Sequence, residues 1–158
     1  MTNEEIAIRL GVALLLGMLI GFERIYHGHD AGVRTHAITA MGAALFMLTG
    51  IMIGNNFETE QETWRALSQV LGSIIVGIGF LGAGLIFTTD KNNHKKGLTS
   101  AATLWTTAAI GSACGFGFLS MAAIATFFVL ITLTIMSTLE WTIVKFFKGK
   151  RREKKNAH

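Results

Sequence analysis

Long hydrophobic runs separated by short polar stretches dominate the pattern of this chain. Three runs contain no charged residue: 35–57, 66–89 and 97–139. A helix needs about 20 mostly apolar residues to cross the hydrocarbon core of a bilayer, so the first two runs each fit one crossing. The third run fits two crossings, because the glycines at Gly115 and Gly117 predict a tight turn inside it.

A shorter hydrophobic segment precedes these four at the start of the chain and brings the number of predicted segments to five. It carries Arg9 near its start, where a long side chain can reach the membrane interface. The fold class is therefore predicted to be all-α, a five-helix transmembrane bundle. The predicted spanning segments are about 6–22, 35–53, 66–87, 98–114 and 118–144, which form one membrane domain over 1–144 followed by a basic tail over 145–158.

The basic residues predict the direction of insertion. If the five segments alternate, 12 of the 14 lysines and arginines fall on one side, in the first and third connections and in the tail. Loops that are rich in Lys and Arg stay in the cytoplasm. The sequence therefore predicts an N-terminus outside and a C-terminus inside.

Composition and charge exclude several other classes of protein. Only 15% of the residues are charged, against roughly 25% in soluble domains. This rules out an ordinary soluble enzyme or a disordered chain, and the lone Cys114 cannot form an internal disulfide. The net charge of +4 does not indicate nucleic-acid binding, because half of the basic residues lie in the tail. No Ser–His–Asp, Cys–His or H-E-x-x-H arrangement is present, so no enzymatic activity is predicted.

The glycines of the third segment match a nucleotide-binding pattern but favour helix packing. Gly77, Gly79 and Gly82 fit G-x-G-x-x-G literally, yet a dinucleotide site needs a strand before the motif, and here it lies inside a hydrophobic run. Small residues let helices approach closely in lipid. Because they occur on more than one face of segment 3, we expect this helix to be central. The glycines predicted to pack helices are Gly17, Gly21, Gly77, Gly79, Gly82 and Gly84.

Ionisable residues collect at the predicted cytoplasmic ends of the helices. Such residues at membrane depth are costly and are candidates for function. We expect Glu23 and Glu140 to face the bundle interior and to pair with Arg24 or Arg34. Two interpretations stay open: a structural ion-pair network, or a site for a cation or a protein partner. The predicted cluster comprises Glu23, Arg24, Asp30, Arg34, Thr35, His36 and Glu140.

Three weaker candidates for chemistry lie near this cluster. Magnesium prefers oxygen ligands, and the acidic residues on this side near the helices are Glu23, Asp30 and Glu140. The fourth segment has a hydroxyl face made of Thr99, Thr103 and Thr106. These hydroxyls either bond back to their own helix or line a polar path. The sequence His27-Gly28-His29-Asp30 offers three ligands to a soft metal, one fewer than a structural zinc site needs.

Three blocks of sequence resemble signatures of the MgtC/SapB family of bacterial membrane proteins. They are Gly21-Phe-Glu-Arg24 with Ala31-Gly-Val-Arg-Thr-His36, then Gly77-Ile-Gly-Phe-Leu-Gly-Ala-Gly84, then Gly97-Leu-Thr-Ser-Ala-Ala-Thr-Leu-Trp105. The resemblance implies a five-helix protein of the bacterial inner membrane with its C-terminus inside. Many members continue into a soluble cytoplasmic domain after helix 5, so this chain is expected to be a short form without it.

The resemblance also implies a link to growth at low Mg²⁺ and to virulence, and some members restrain the F-type ATP synthase. Three functions therefore compete. The favoured one is a non-enzymatic protein that modulates another membrane complex, with the ATP synthase as candidate. The second is a Mg²⁺ or other cation transporter, and the third is a metal or pH sensor in the first connection. The small-residue faces predict a homodimer in the lipid bilayer.

Overall fold

Five α-helices form the structure, which is a computed structural model and describes residues 1–29, 31–86 and 97–136. The helices are α1 (Asn3–Tyr26), α2 (Val33–Gly54), α3 (Glu60–Ile86), α4 (Leu98–Phe116) and α5 (Leu119–Met136). The described ranges contain no β-strand, and α1, α2, α3 and α5 are long and apolar enough to cross a membrane. The prediction of an all-α membrane bundle is confirmed. The predicted remainder of the fifth segment and the basic tail lie outside the described residues.

Two helices extend beyond their charge-free runs because polar residues favour their ends. At the start of α1, the Thr2 hydroxyl accepts a hydrogen bond from the Glu5 backbone N–H at 3.2 Å, and the Glu5 carboxylate accepts one from the Thr2 N–H at 3.1 Å. This reciprocal capping box satisfies two amides that the helix leaves free. In α3, Glu60 and Glu62 occupy the first turn, where negative charge is favoured by the helix dipole.

The central helix of the bundle is α4, and the prediction that segment 3 is central was wrong. Most of α4 is buried, whereas Leu67 and Gly82 are the buried residues of α3. α4 is also the one helix of the five that does not meet the length and hydropathy requirements of a spanning segment among the described residues. The physical reason is that a helix surrounded by other helices does not have to match lipid, so it can carry more Gly, Ala, Ser and Thr.

The contact between α2 and α4 brings the two backbones together. A Cβ built at Gly111 would overlap the Ala40 carbonyl oxygen, and one built at Gly115 would lie 2.5 Å from the Ala44 carbonyl oxygen. On α1, a Cβ at Gly17 would lie 2.6 Å from the His36 carbonyl oxygen. These three glycines let α1, α2 and α4 meet through their main chains and close the centre of the bundle.

The turn between α4 and α5 depends on Gly117 and is held by an arginine from α1. Gly117 has a φ of +97°, and the Phe118 N–H donates to the Ala113 carbonyl at 2.9 Å. This is the arrangement that ends many helices at a left-handed glycine. Arg9 donates from Nη1 to the Gly115 carbonyl at 3.0 Å. Arg9 therefore stabilises the end of α4 instead of only reaching for the interface.

Replacing Gly117 with Ala should lower the free energy of unfolding by about 2 kcal/mol. A left-handed backbone costs an L-residue about 1–2 kcal/mol, and the added Cβ would lie 3.0 Å from Cζ of Arg9. Unfolding in mixed detergent micelles, followed by circular dichroism, measures the loss. Gly28→Ala is the control, because Gly28 also has a positive φ but an added Cβ meets nothing within 4 Å. An equal loss in both variants would show that the cost comes from the left-handed backbone alone and not from the contact of the added Cβ with Arg9.

Candidate functional site

A buried polar cluster lies where α1 ends and where α2 and α4 begin. It consists of Glu23, Arg24, His36 and Ser100, and we call it the polar cluster. Arg24 is 3% exposed, His36 is fully buried and the side chain of Glu23 is 9% exposed. Charged groups are almost never buried to this degree unless they are paired. The cluster is therefore the place in the described chain where function is expected first.

Glycine on α1 brings Arg24 into this position. A Cβ at Gly21 would lie 2.5 Å from the Cα of Val33, so α1 and the start of α2 approach closely there. Gly17, Gly21 and Arg24 follow each other at spacings of four and three along α1 and lie on one face of that helix. The face that holds the glycines against α2 therefore also directs Arg24 into the bundle.

Arg24 joins α1 to α4 and lies beside Glu23. Its Nη2 donates to the Ser100 hydroxyl at 3.5 Å, and its Nη1 lies 3.7 Å from Oε2 of Glu23. The Nδ1 of His27 is 2.9 Å from the other carboxylate oxygen of Glu23, and it also contacts the Glu23 carbonyl at 3.1 Å.

The polar cluster contains hydrogen-bonding atoms that no described residue satisfies. They are Nε of Arg24 and Nε2 of His36, whereas the two carboxylate oxygens of Glu23 have only their ion-pair contacts with His27 and Arg24. Nδ1 of His36 lies 2.9 Å from the Gly32 carbonyl, which can only accept. His36 therefore carries its proton on Nδ1 when neutral and presents a lone pair at Nε2. Buried polar atoms without partners are uncommon in native proteins, because protein groups or ordered water usually satisfy them. The cluster therefore has polar atoms that a water molecule or a ligand can reach with hydrogen bonds.

The structure buries some residues of the predicted cluster and leaves others exposed at the surface. Arg34 and Thr35 are exposed, and Arg34 forms no ion pair with a described residue. Of the two expected partners, Glu23 therefore lies beside Arg24 and not beside Arg34. Asp30 and Glu140 lie outside the described residues.

Within the described ranges, no group of three or more His, Cys, Asp and Glu side chains is placed to hold a metal ion. The Mg²⁺ site proposed for Glu23, Asp30 and Glu140 thus has one described member. The guanidinium of Arg24 lies 3.7 Å from that carboxylate and competes with a cation for it.

The hydroxyls of α4 bond to their own helix. Thr103 donates to the Thr99 carbonyl at 2.9 Å, Thr106 donates to the Ala102 carbonyl at 2.8 Å, and Thr99 itself is exposed. These bonds satisfy the hydroxyls locally, as is common in membrane helices. The hydroxyl that contributes to the polar cluster is instead that of Ser100 on the adjacent face. Ser100, Thr103 and Thr107 are all buried, and their spacings of three and four residues place them on one side of α4. This spacing is the sequence signal that could have identified Ser100.

The predicted packing glycines also divide into two groups. Gly17 and Gly21 lie against α2, and a Cβ at Gly82 would lie 3.5 Å from the Cβ of Ala101 on α4. A Cβ added at Gly77, Gly79 or Gly84 meets no heavy atom within 4 Å. Close helix contacts at these last three positions are therefore not made between described parts of one chain.

Comparison with known proteins decides the family. The sequence profile of the MgtC family matches residues 10–141, which is most of the chain. The chain belongs to the MgtC family. The three blocks that resemble MgtC-family signatures lie where the structure has its unusual features. The first and third supply all four residues of the polar cluster, and the second contains the exposed glycines Gly77, Gly79 and Gly84 and the buried Gly82 of α3.

Several MgtC-family relatives are similar over most of this chain. Protein SrpB of Synechococcus elongatus is 38% identical over 141 residues, covering 85% of this chain and 76% of that protein. Protein MgtC of Brucella abortus is 41% identical over 130 residues, and Protein MgtC of Salmonella typhimurium is 40% identical over 123 residues. These matches cover 82% and 78% of this chain, but only 50% and 48% of the two relatives. The chain thus spans about half the length of the MgtC proteins it matches. No solved structure matches it.

Proposed function

We propose that this MgtC-family chain is a non-enzymatic protein of the bacterial inner membrane that serves adaptation to low Mg²⁺. It acts by binding and modulating another membrane complex. The candidate complex is the F-type ATP synthase, which the family resemblance supplies. The predicted insertion places the polar cluster on the cytoplasmic side.

The observation that carries this proposal is the closed centre of the bundle. Gly17, Gly111 and Gly115 bring α1, α2 and α4 into main-chain contact between the polar cluster and the opposite end. The side chains packed around these contacts are small and apolar, including Ala40, Ala44 and Cys114. An ion that crosses a membrane needs polar or water-lined positions along its route. The buried hydroxyls of Thr107 and Ser112 on α4 donate to carbonyls of their own helix. The described core therefore has few polar positions along such a route, which favours action by contact over transport.

A second candidate is transport of Mg²⁺ or another cation, and the unsatisfied atoms of the polar cluster favour it. The Nε2 lone pair of His36 is an acceptor without a hydrogen bond from a described residue, and the carboxylate oxygens of Glu23 are held only by ion-pair contacts with Arg24 and His27. Such atoms can take part of the hydration shell of an ion. This candidate requires the α1–α2–α4 contact to open.

The test measures transport and modulation with the same protein. Purified protein in liposomes with a trapped Mg²⁺ indicator should admit no more Mg²⁺ than protein-free liposomes. In inverted membrane vesicles with equal amounts of ATP synthase, expression of the chain should lower ATP-driven proton pumping at least twofold.

Glu23→Gln and Glu60→Gln form a matched pair of variants, because the first carboxylate is in the polar cluster and the second is exposed at the start of α3. Mg²⁺ entry that Glu23→Gln abolishes and Glu60→Gln preserves would overturn the proposal in favour of transport. Proton pumping that does not respond to the chain would exclude the ATP synthase as the modulated complex.

A further inference from the structure

A groove between α2 and α3 is open to the surroundings along the membrane-spanning part of the bundle. The two helices contact each other near the end of α2, where a Cβ at Gly54 would lie 2.9 Å from the Thr63 side chain. Farther along they separate, and added Cβ atoms at Gly42 of α2 and Gly77 of α3 meet nothing within 4 Å. The cavity between them has a volume of about 790 Å³.

The groove is unsuited to lipid chains alone because its walls carry polar side chains. Thr39, Gln69 and Ser73 line it, and none of them makes a side-chain hydrogen bond with a described residue. Hydrocarbon offers no hydrogen-bond donor or acceptor, so these polar side chains would stay without hydrogen bonds in a groove filled by lipid chains, which is unfavourable. Between membrane helices, the same groups form interhelical hydrogen bonds. The rest of the lining is apolar or glycine, so the groove fits a helix with apolar and small side chains and a polar group at the depth of Gln69 and Ser73.

We propose that this helix is α3 of a second copy, and that two copies form a two-fold dimer in which each α3 packs into the α2–α3 groove of the other. Identical chains insert in the same direction, so identical residues lie at the same depth. A two-fold axis along the membrane normal then brings Gln69 of one copy to Gln69 of the other. The Gln side chain is both donor and acceptor, so it can pair with its own copy.

Two further features of α3 are complementary between the two copies related by such an axis. Ser73 and Gly77 are four residues apart on the groove side, where small residues let two helices approach closely. Beyond the hydrophobic run, Glu62 and Arg65 precede Gln69 by seven and four residues and are exposed. Neither forms an ion pair with a described residue. In the dimer, Arg65 of one copy faces Glu62 of the other, which adds a pair of complementary charges.

Cysteine crosslinking in native membranes tests the dimer. In a Cys114→Ala background, Ser73→Cys should yield a disulfide-linked dimer on mild oxidation, because the axis brings the two Ser73 positions together. Ile75→Cys is the matched control, since Ile75 is exposed on another side of α3 and lines a different groove. We expect at least tenfold more dimer from Ser73→Cys.

A bulky substitution then tests the interface without disturbing the single chain. Gly77→Leu should abolish the Ser73→Cys crosslink, whereas Gly79→Leu should leave it unchanged. Neither position has a heavy atom within 4 Å of an added Cβ, so both variants should fold alike.

Three outcomes would overturn the proposal: equal crosslinking of Ser73→Cys and Ile75→Cys, a Ser73→Cys product of the wrong mass for two copies, or no effect of Gly77→Leu. The dimer does not rest on the proposed function, and failure of either leaves the other standing.

Discussion

Replacing Gly111 with Leu should strongly destabilise the folded bundle. The Cβ of any larger residue would meet the main chain of Ala40, with the carbonyl carbon and Cα both at 2.7 Å. Backbone atoms cannot rotate away as a side chain can, so α2 and α4 would have to separate along their contact. Overpacking of a core costs about 1–3 kcal/mol and occasionally more, and we expect a loss of about 3 kcal/mol or more here. Unfolding in mixed detergent micelles and the yield of monodisperse protein both measure it.

The matched control is Gly72→Leu on α3. An added Cβ at Gly72 meets nothing within 4 Å, so the same change in side-chain volume has no contact to break. Substitutions at such exposed positions usually change stability by less than about 0.5 kcal/mol. If Gly72→Leu were as damaging as Gly111→Leu, the effect would belong to the loss of glycine itself and the α2–α4 contact would not be the cause.

The number and approximate limits of the helices could be predicted from the sequence because membrane crossing imposes a minimum apolar length. Charge-free runs of that length are rare in soluble domains, so each run identifies one helix or, with a turn signal, two. The limits differ by a few residues where helices extend beyond the hydrophobic run, as at Glu60 of α3 and Tyr26 of α1. Hydropathy reports the lipid boundary and does not detect a capping residue or an acidic first turn.

The central position of α4 could not be predicted from glycine content alone. Small residues show that a helix can be approached closely, but they do not show which neighbour approaches. The glycines of α3 at Gly77 and Gly79 have no neighbour among the described residues, whereas Gly111 and Gly115 of α4 lie against α2. The more informative signal was the hydroxyl content of α4, because a helix shielded from lipid tolerates more polar side chains.

The choice between Arg24 and Arg34 as the buried cation could have been made from helical spacing. Arg24 continues the face of α1 that carries Gly17 and Gly21, and the structure buries it. On α2 the buried positions begin with His36 and Ala37 and recur at Ala40, and Arg34 precedes them in the first turn, where it is exposed. The unsatisfied atoms of the cluster had no signal in the sequence, since they depend on distances between side chains from different helices.

Replacing Arg24 with Met should cost about 3–5 kcal/mol of unfolding free energy. Met keeps the length of the side chain but leaves the Glu23 carboxylate, which is 9% exposed, without its guanidinium neighbour. Removing one member of a buried ion pair carries a cost of this size because the remaining charge is uncompensated. Unfolding in mixed micelles provides the measurement, and Arg34→Met is the matched control. Arg34 is exposed and forms no ion pair with a described residue, so its loss should change stability by less than about 0.5 kcal/mol.

The double variant Arg24→Met/Glu23→Gln separates the charge from the packing of Arg24. If the uncompensated carboxylate is the main cost, neutralising it should restore at least half of the stability that Arg24→Met loses. Such a recovery identifies the pair as an electrostatic unit within the polar cluster, because the hydrogen bond from Arg24 to Ser100 is absent from both variants. No recovery, with Arg34→Met as damaging as Arg24→Met, would contradict the pairing. A restored fold that still fails to lower ATP-driven proton pumping would show that the cluster contributes its charge to function as well as to stability.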